Sequence, residues 1–339
     1  MKRASVLLLL FLVPLQPTVP QRLTDAEFWS IVTDASEPGG TFRSLDITNL
    51  TSNETLFQHV IPGLLARTKP GGAYLGVGPE QNFTYIAAVR PRIVIIFDVR
   101  RGNLATQLMY KALFELSPDR ATFVSMLFSK PKPPGLSAGA TADALFEAFG
   151  QSPTSDQLFR KNLAALIAHL TKTHSLPLGA GDLGAIQTIY QTFYNSGFSV
   201  RSSPTYWDLM AATDAGGAER SYLSSEKAFA VLKDLESRNL IIPVVGDFGG
   251  PKALRWVASY LRTRRAIVSA FYLSNVEQYL MQDGKWQAFC ANVAAMPIDA
   301  TSTFIRSSSG GRGFGRGGGF VSSLGGIAEE VKSCGVGPG

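Results

Sequence analysis

The spacing of hydrophobic and polar positions changes several times along this chain, and each change predicts an element. A short apolar stretch over residues 72–77 runs into Gly76-Val77-Gly78 and then Pro79. Proline is harmless at a first helical position because its missing N–H would have no partner there. Residues 80–89 are therefore predicted as a short helix, which Pro91 ends. Residues 92–98 hold five consecutive large apolar side chains closed by Asp98, the pattern of a strand buried on both faces. From Asn103 to Leu116 the apolar positions fall on two helical ridges, with Asn103 as the expected N-cap. Residues 122–128 read as a third strand.

The second half repeats the rhythm. Residues 240–246 predict a strand, and Pro243 inside it demands an edge position or a bulge, because it removes a ladder donor. The turn Asp247-Phe248-Gly249-Gly250 leads through Pro251 into a helix whose inner face is Leu254, Val257, Ala258 and Leu261. Residues 266–273 form the next strand, Asn275 precedes a further helix, and residues 301–306 form a last strand. Strands alternating with helices imply an α/β fold, a Rossmann-like, mostly parallel, doubly wound sheet with right-handed crossovers. Residues 130–220 break this rhythm. They open on the stiff Pro131-Lys132-Pro133-Pro134 linker and carry two amphipathic helices, one with Phe159, Leu163, Leu166 and Leu170, the other with Leu183, Ile186, Tyr190 and Phe193. They are expected as a helical insertion capping the sheet.

The ends differ from the middle. Lys2 and Arg3 precede an apolar run over 4–13, which Pro14 breaks. That is too short for a membrane span, which needs about 20 residues, and fits an export signal. Residues 1–21 are set apart as signal peptide or anchor, residues 22–308 form the Rossmann-like domain, and the glycine-rich residues 309–339 are expected to be a disordered, dispensable tail. Exported, the protein is periplasmic or secreted; without a working signal it is cytoplasmic.

Composition narrows the function. Of 339 residues, 45% are hydrophobic and 17% charged, so the chain has a real core. Two cysteines, Cys290 and Cys334, exclude a disulfide-dense scaffold and a cysteine-cluster metal centre. The net charge of +6 is spread along the chain, and the tail offers only Arg312 and Arg316 in an RGG-like setting, so no nucleic-acid partner is expected. No membrane span is expected beyond the N-terminal segment. His169 and His174 stand five residues apart, poor spacing for a metal pair on an α-helix, and surface or capping roles are expected for them. G-x-S-x-G and H-E-x-x-H motifs are absent.

A small-molecule ligand is expected beyond the carboxyl ends of the strands. The cofactor-binding candidates are Gly76, Gly78, Glu80, Asp98 and Asn275, and the catalytic candidate is Asp247. Asp98 lies 20 residues past Gly78, the offset of an acid that binds ribose hydroxyls; alternatively it pairs with Arg100 or Arg101. Gln81 stands where a dinucleotide site has its third glycine, and Glu80 puts negative charge where a phosphate would sit. An adenosine cofactor without phosphate, S-adenosylmethionine, fits that pattern better. Asp247 is either a general base or the acceptor for the amides of its own turn.

Five runs, YLGVGPEQNFTY over 74–85, FDVRRGNL over 97–104, YKALFEL over 110–116, VGDFGGPKALR over 245–255 and SNVEQYL over 274–280, resemble an uncharacterised bacterial protein family with a methyltransferase-like Rossmann core. The resemblance covers roughly residues 25–307 and implies a methyltransferase-like fold without a known activity. Because S-adenosylmethionine is cytoplasmic, export would favour the alternative: a non-catalytic, envelope-located Rossmann-like binding protein.

Overall fold

The computed structural model describes residues 18–41, 49–309 and 320–334, so the export-like segment lies outside the described residues. Helix α1 (Asp25–Ala35) starts from a reciprocal capping box between Thr24 and Glu27, and α2 (Ile61–Arg67) follows. Strand β1 (Ala73–Val77), helix α3 (Gln81–Val89) and strand β2 (Ile93–Asp98) then form the first parallel unit, and every residue of β2 is buried, as its apolar run requires.

Helix α4 (Arg101–Leu116) begins two residues before Asn103, with Arg100 and not Asn103 as its cap residue. The expected third strand over 122–128 is instead helix α5 (Arg120–Phe128), started by the Asp119 carboxylate, which accepts the Thr122 N–H at 2.6 Å. Phe123, Val124, Leu127 and Phe128 are all buried, and α5 packs against α4 and the insertion. Only Thr122, Ser125 and Met126 are partly exposed, and so short an apolar run suits a buried strand and a mostly buried helix alike.

The insertion holds α6 (Ala142–Gly150), α7 (Asp156–Ala168), α8 (Ala180–Ser196) and α9 (Tyr206–Ala211), and no strand of the sheet. It does not cap the sheet: α8 packs on α4 and α5, so the insertion forms a further layer outside them. Helix α10 (Glu226–Ser237) returns the chain along α3 and α4 to β3 (Ile241–Val245).

Helix α11 (Ala253–Thr263), strand β4 (Val268–Ser274), helices α12 (Val276–Gln282) and α13 (Trp286–Ala294), strands β5 (Thr303–Ser309) and β6 (Phe320–Gly326) and helix α14 (Ile327–Ser333) complete the chain. The six strands make one sheet in the order β3-β2-β1-β4-β5-β6, parallel except for β6. Pro243 lies in the edge strand β3, as its lost donor demands. The outer side of that edge is closed by the chain after α1: Val245 N–H donates to Ser36 Oγ at 3.0 Å, and its carbonyl accepts the Glu37 N–H at 2.8 Å.

The expected disordered tail is corrected for residues 320–334. β6 pairs along β5, Ile327 and Val331 are buried, and a disulfide joins Cys290 of α13 to Cys334. Arg306 on β5 ion-pairs with Glu277 of α12 and Glu330 of α14. These contacts offset the ordering entropy that the glycine content emphasised. Truncation at residue 308 would therefore strip an edge strand and a packed helix. No helix among the described residues is long and apolar enough to cross a membrane.

Candidate functional site

The carboxyl ends of β1, β2, β3 and β4 open into one cavity of about 520 Å³. In an open parallel sheet this is where loops diverge and leave room for a ligand. The turns after β1 (Gly78), β2 (Asp98), β3 (Asp247) and β4 (Asn275) supply its walls, and residues 37–41, 49–54 and α12 close it.

The two glycines have different roles. Gly78 takes φ +78°, and a Cβ added there would meet nothing within 4 Å, so its backbone borders open space in the cavity. Gly76 does not line the cavity. A Cβ there would lie 1.8 Å from Asn82 Oδ1 and 2.8 Å from the Tyr74 ring. Asn82 is held in place: its Nδ2 donates to the Val77 and Pro79 carbonyls at 2.9 and 2.7 Å, and its Oδ1 accepts the Tyr74 hydroxyl at 3.0 Å. Gly76 is thus a packing position beneath the β1 turn, outside the cavity lining.

Glu80 also lies outside the cavity lining. It is fully buried at the head of α3, where its Oε1 accepts the Ser52 N–H at 3.1 Å and its Oε2 has no partner among the described residues. Burial, opposed by that amide and by the Arg201 charge, pushes its pKa up to about 7. The folded chain therefore favours the neutral acid. This group's contribution to stability is fully present below its ordinary value of 4.5 and is lost as pH rises through about 7. Glu80→Gln is expected to remove that loss, making the variant more stable than wild type at pH 8 by about 3 kcal/mol. Urea midpoints of both proteins at pH 4 and pH 8 check it, and parallel pH profiles would contradict it.

Asp98 lines the cavity, but a buried guanidinium holds it. Arg100 Nε and Nη2 donate to its two carboxylate oxygens at 3.0 and 2.7 Å, and the Arg100 N–H adds a third bond at 2.9 Å. Arg101 turns away to Asp182 of α8. Asp247 lines the cavity while serving its own turn: Oδ1 accepts the Gly249 N–H at 2.8 Å, and Oδ2 pairs with Lys285 at 2.5 Å. Asn275 borders the same space at the head of α12.

The sequence reading missed two carboxylates. Glu54, nearly fully buried, accepts hydrogen bonds from the Tyr272 hydroxyl (2.8 Å), the Ser274 hydroxyl (2.6 Å) and Gln81 Nε2 (2.7 Å). Glu37 accepts the backbone N–H groups of Asp247, Lys252 and Ala253 at 3.2, 2.8 and 2.8 Å, so a carboxylate of the chain sits on the N-terminus of α11. Both acids come from the stretch before β1, which carries no motif or clear period. Among the described residues the lining holds five acids, Glu37, Glu54, Asp98, Asp247 and Asp283, against two bases, Arg100 and Lys285. Such a lining favours cationic ligands and disfavours phosphates.

The family described as a domain of unknown function (DUF7790) matches residues 49–318. No curated protein matches the chain.

Proposed function

The chain belongs to the DUF7790 family of unknown function, and from that premise we propose that its cleft binds a small, positively charged, phosphate-free nucleoside, with S-adenosylmethionine as the type. The observation that carries this reading is the acidic lining of the cleft, with Glu37 seated on the N-terminus of α11. That is a position where a nucleotide phosphate would otherwise find N–H donors. A phosphate entering the cleft would meet like charge, whereas a sulfonium would meet opposite charge.

The strand order supports a Rossmann-like reading. It is that of doubly wound sheets that bind nucleosides where the order reverses, here between β1 and β4. The residues fit the cofactor: the space beside Gly78 would admit it against the backbone, Asp98 would present its remaining lone pairs to ribose hydroxyls with Arg100 fixing the carboxylate plane, and Asn275 would close the far side. When bound, S-adenosylmethionine would supply an electrophilic methyl group. Asp247, held by Lys285, would orient an acceptor rather than take its proton.

Titration calorimetry on the full chain tests the proposal. S-adenosylmethionine and S-adenosylhomocysteine should bind, and nicotinamide adenine dinucleotide should not. Asp98→Asn should weaken binding roughly ten- to a hundred-fold, the worth of a charge-assisted hydrogen bond of about 1.5–3 kcal/mol. No binding of either S-adenosyl compound to wild type would retire the reading.

A second reading rests on the Cys290–Cys334 disulfide. Structural disulfides belong to oxidising compartments, which agrees with the export-like N-terminus and points to a non-catalytic envelope protein that binds another small cation in the same cleft. Recovery of oxidised protein from the periplasmic fraction, beginning near Gln21 and indifferent to S-adenosyl compounds, would select it.

A further inference from the structure

The histidine spacing that excludes a metal pair on an α-helix acts differently in this fold, because the chain leaves α7 through a π turn, His169–Thr173. In a π turn the hydrogen bond reaches five residues back, and here the His174 N–H donates to the His169 carbonyl at 3.0 Å. Residues five apart then share one face. The two imidazoles stand with ring centres 4.9 Å apart at 85°. Both Nε2 atoms reach the same atom, Glu115 Oε2 near the end of α4, at 2.5 Å each.

The other ring nitrogen of His174 is also engaged. Its Nδ1 lies 2.6 Å from Asp25 Oδ1 in the first turn of α1, and Asn239 Nδ2 donates to that same oxygen at 2.8 Å. A carboxylate on Nδ1 fixes the tautomer that carries the proton there and leaves the Nε2 lone pair directed at Glu115. This is the outer-shell arrangement that orients metal-ligating histidines. His169 Nε2 reaches the same anionic oxygen, and the His174 Nε2 lone pair facing that oxygen is repelled unless positive charge lies between them. Lys111 does not supply it there, because its ammonium bonds the other oxygen, Glu115 Oε1, at 2.7 Å and the Glu236 carbonyl at 2.7 Å.

We propose that Glu115, His169 and His174 form a binding site for a divalent transition-metal ion of the zinc type, with Asp25 orienting His174. Two imidazoles and one carboxylate are a donor set suited to zinc and its neighbours. The three ligand atoms lie within 4.8 Å of one another. Metal–ligand bonds of about 2.0–2.2 Å require the side chains to part by roughly 1 Å. The imidazoles are slightly exposed, at 15% and 12%, which leaves a fourth position for water. The ion would join α4 to the π turn of the insertion, with α1 in the outer shell. It would lie about 21 Å along α4 from the cleft, by the rise of 1.5 Å per residue, and so is separate from the ligand site.

Cobalt and zinc titrations of the full chain, stripped with a chelator and dialysed, test the site. One equivalent of Co²⁺ should produce the visible absorption of a low-symmetry, nitrogen-ligated ion, and one equivalent of Zn²⁺ should displace it. His169→Ala and His174→Ala should each abolish that absorption or weaken binding at least about a hundred-fold, and Asp25→Asn should weaken it about ten- to a hundred-fold. Should the histidine variants fail to fold, the wild-type spectrum and Asp25→Asn, which leaves both ligand rings in place, still decide. Absence of a stoichiometric Co²⁺ spectrum in wild type, or a spectrum unchanged by folded His169→Ala, His174→Ala or Asp25→Asn variants, would overturn the site and leave two protonated imidazoles paired with Glu115.

Discussion

Asp98→Ala is expected to lower stability by about 3–5 kcal/mol, even though Asp98 ends its strand and lies outside the apolar run of β2. Read from sequence, the substitution looks harmless to the fold. The pairing with Arg100 changes that. Both side chains are more than nine-tenths buried, and the guanidinium spends two of its donors on the carboxylate. Alanine would remove the acceptor of three Arg100 hydrogen bonds in a buried setting, at about 1–3 kcal/mol for each donor left buried. Asp98→Asn keeps one acceptor oxygen and fills the same space, so it should cost less than alanine, which is why it serves the binding experiment better. Asp98→Ala combined with Arg100→Met should recover part of the loss, because the donors that faced the carboxylate are then gone as well. Urea unfolding of the three variants checks this. A single alanine variant as stable as wild type would refute a structural role for the Asp98–Arg100 pairing.

Arg120→Ala should be costlier still, above about 4 kcal/mol. Arg120 is 1% exposed at the start of α5. Its guanidinium donates to Glu226 at 3.2 Å, to the Leu223 carbonyl at 2.8 Å, to the Ala138 carbonyl at 3.0 Å and to the Ala140 carbonyl. One side chain thus ties the insertion's first loop and the entry to α10 onto α5. Removing it opens a cavity and strips three carbonyls of a donor, at about 1–3 kcal/mol for each one left buried. For a chain of this size the melting temperature should fall by about 10 °C. Arg120→Lys should recover less than half, because a single ammonium cannot span the fork. Thermal unfolding followed by circular dichroism measures both, and a fall of only a degree or two for the alanine variant would refute the tie.

Local pattern determined a good part of this protein. The apolar run over 93–97 reads as a strand covered on both faces, and Pro243 called for an edge position or a bulge; the strand and the edge are both found in the sheet. The ridges of α7, α8 and α11 were legible because each of those helices is wet on one side, and a half-wet helix writes its 3.6-residue period into the sequence. The turns after β1, β2, β3 and β4 were legible for a similar reason, since glycine, aspartate and asparagine mark strand ends. Those turns do line the cavity, at Gly78, Asp98, Asp247 and Asn275.

Elsewhere only the tertiary structure decided. Helix α5 is mostly buried, and its short apolar run suits a strand as well as a helix. The segment over 320–334 follows a glycine-rich run and reads as part of the same tail, yet β5, α13 and Arg306 supply its partners. Glu37 and Glu54 bear no motif, and the cleft acquires them when the stretch before β1 folds across the strand ends. The choice of Arg100 over Arg101 as the partner of Asp98 and the meeting of His169 with His174 depend on a side-chain rotamer and a π turn, which spacing alone does not encode. Period and punctuation act over a few residues, whereas burial, charge pairing and cavity walls are set by whichever groups the closed fold brings within a few ångströms.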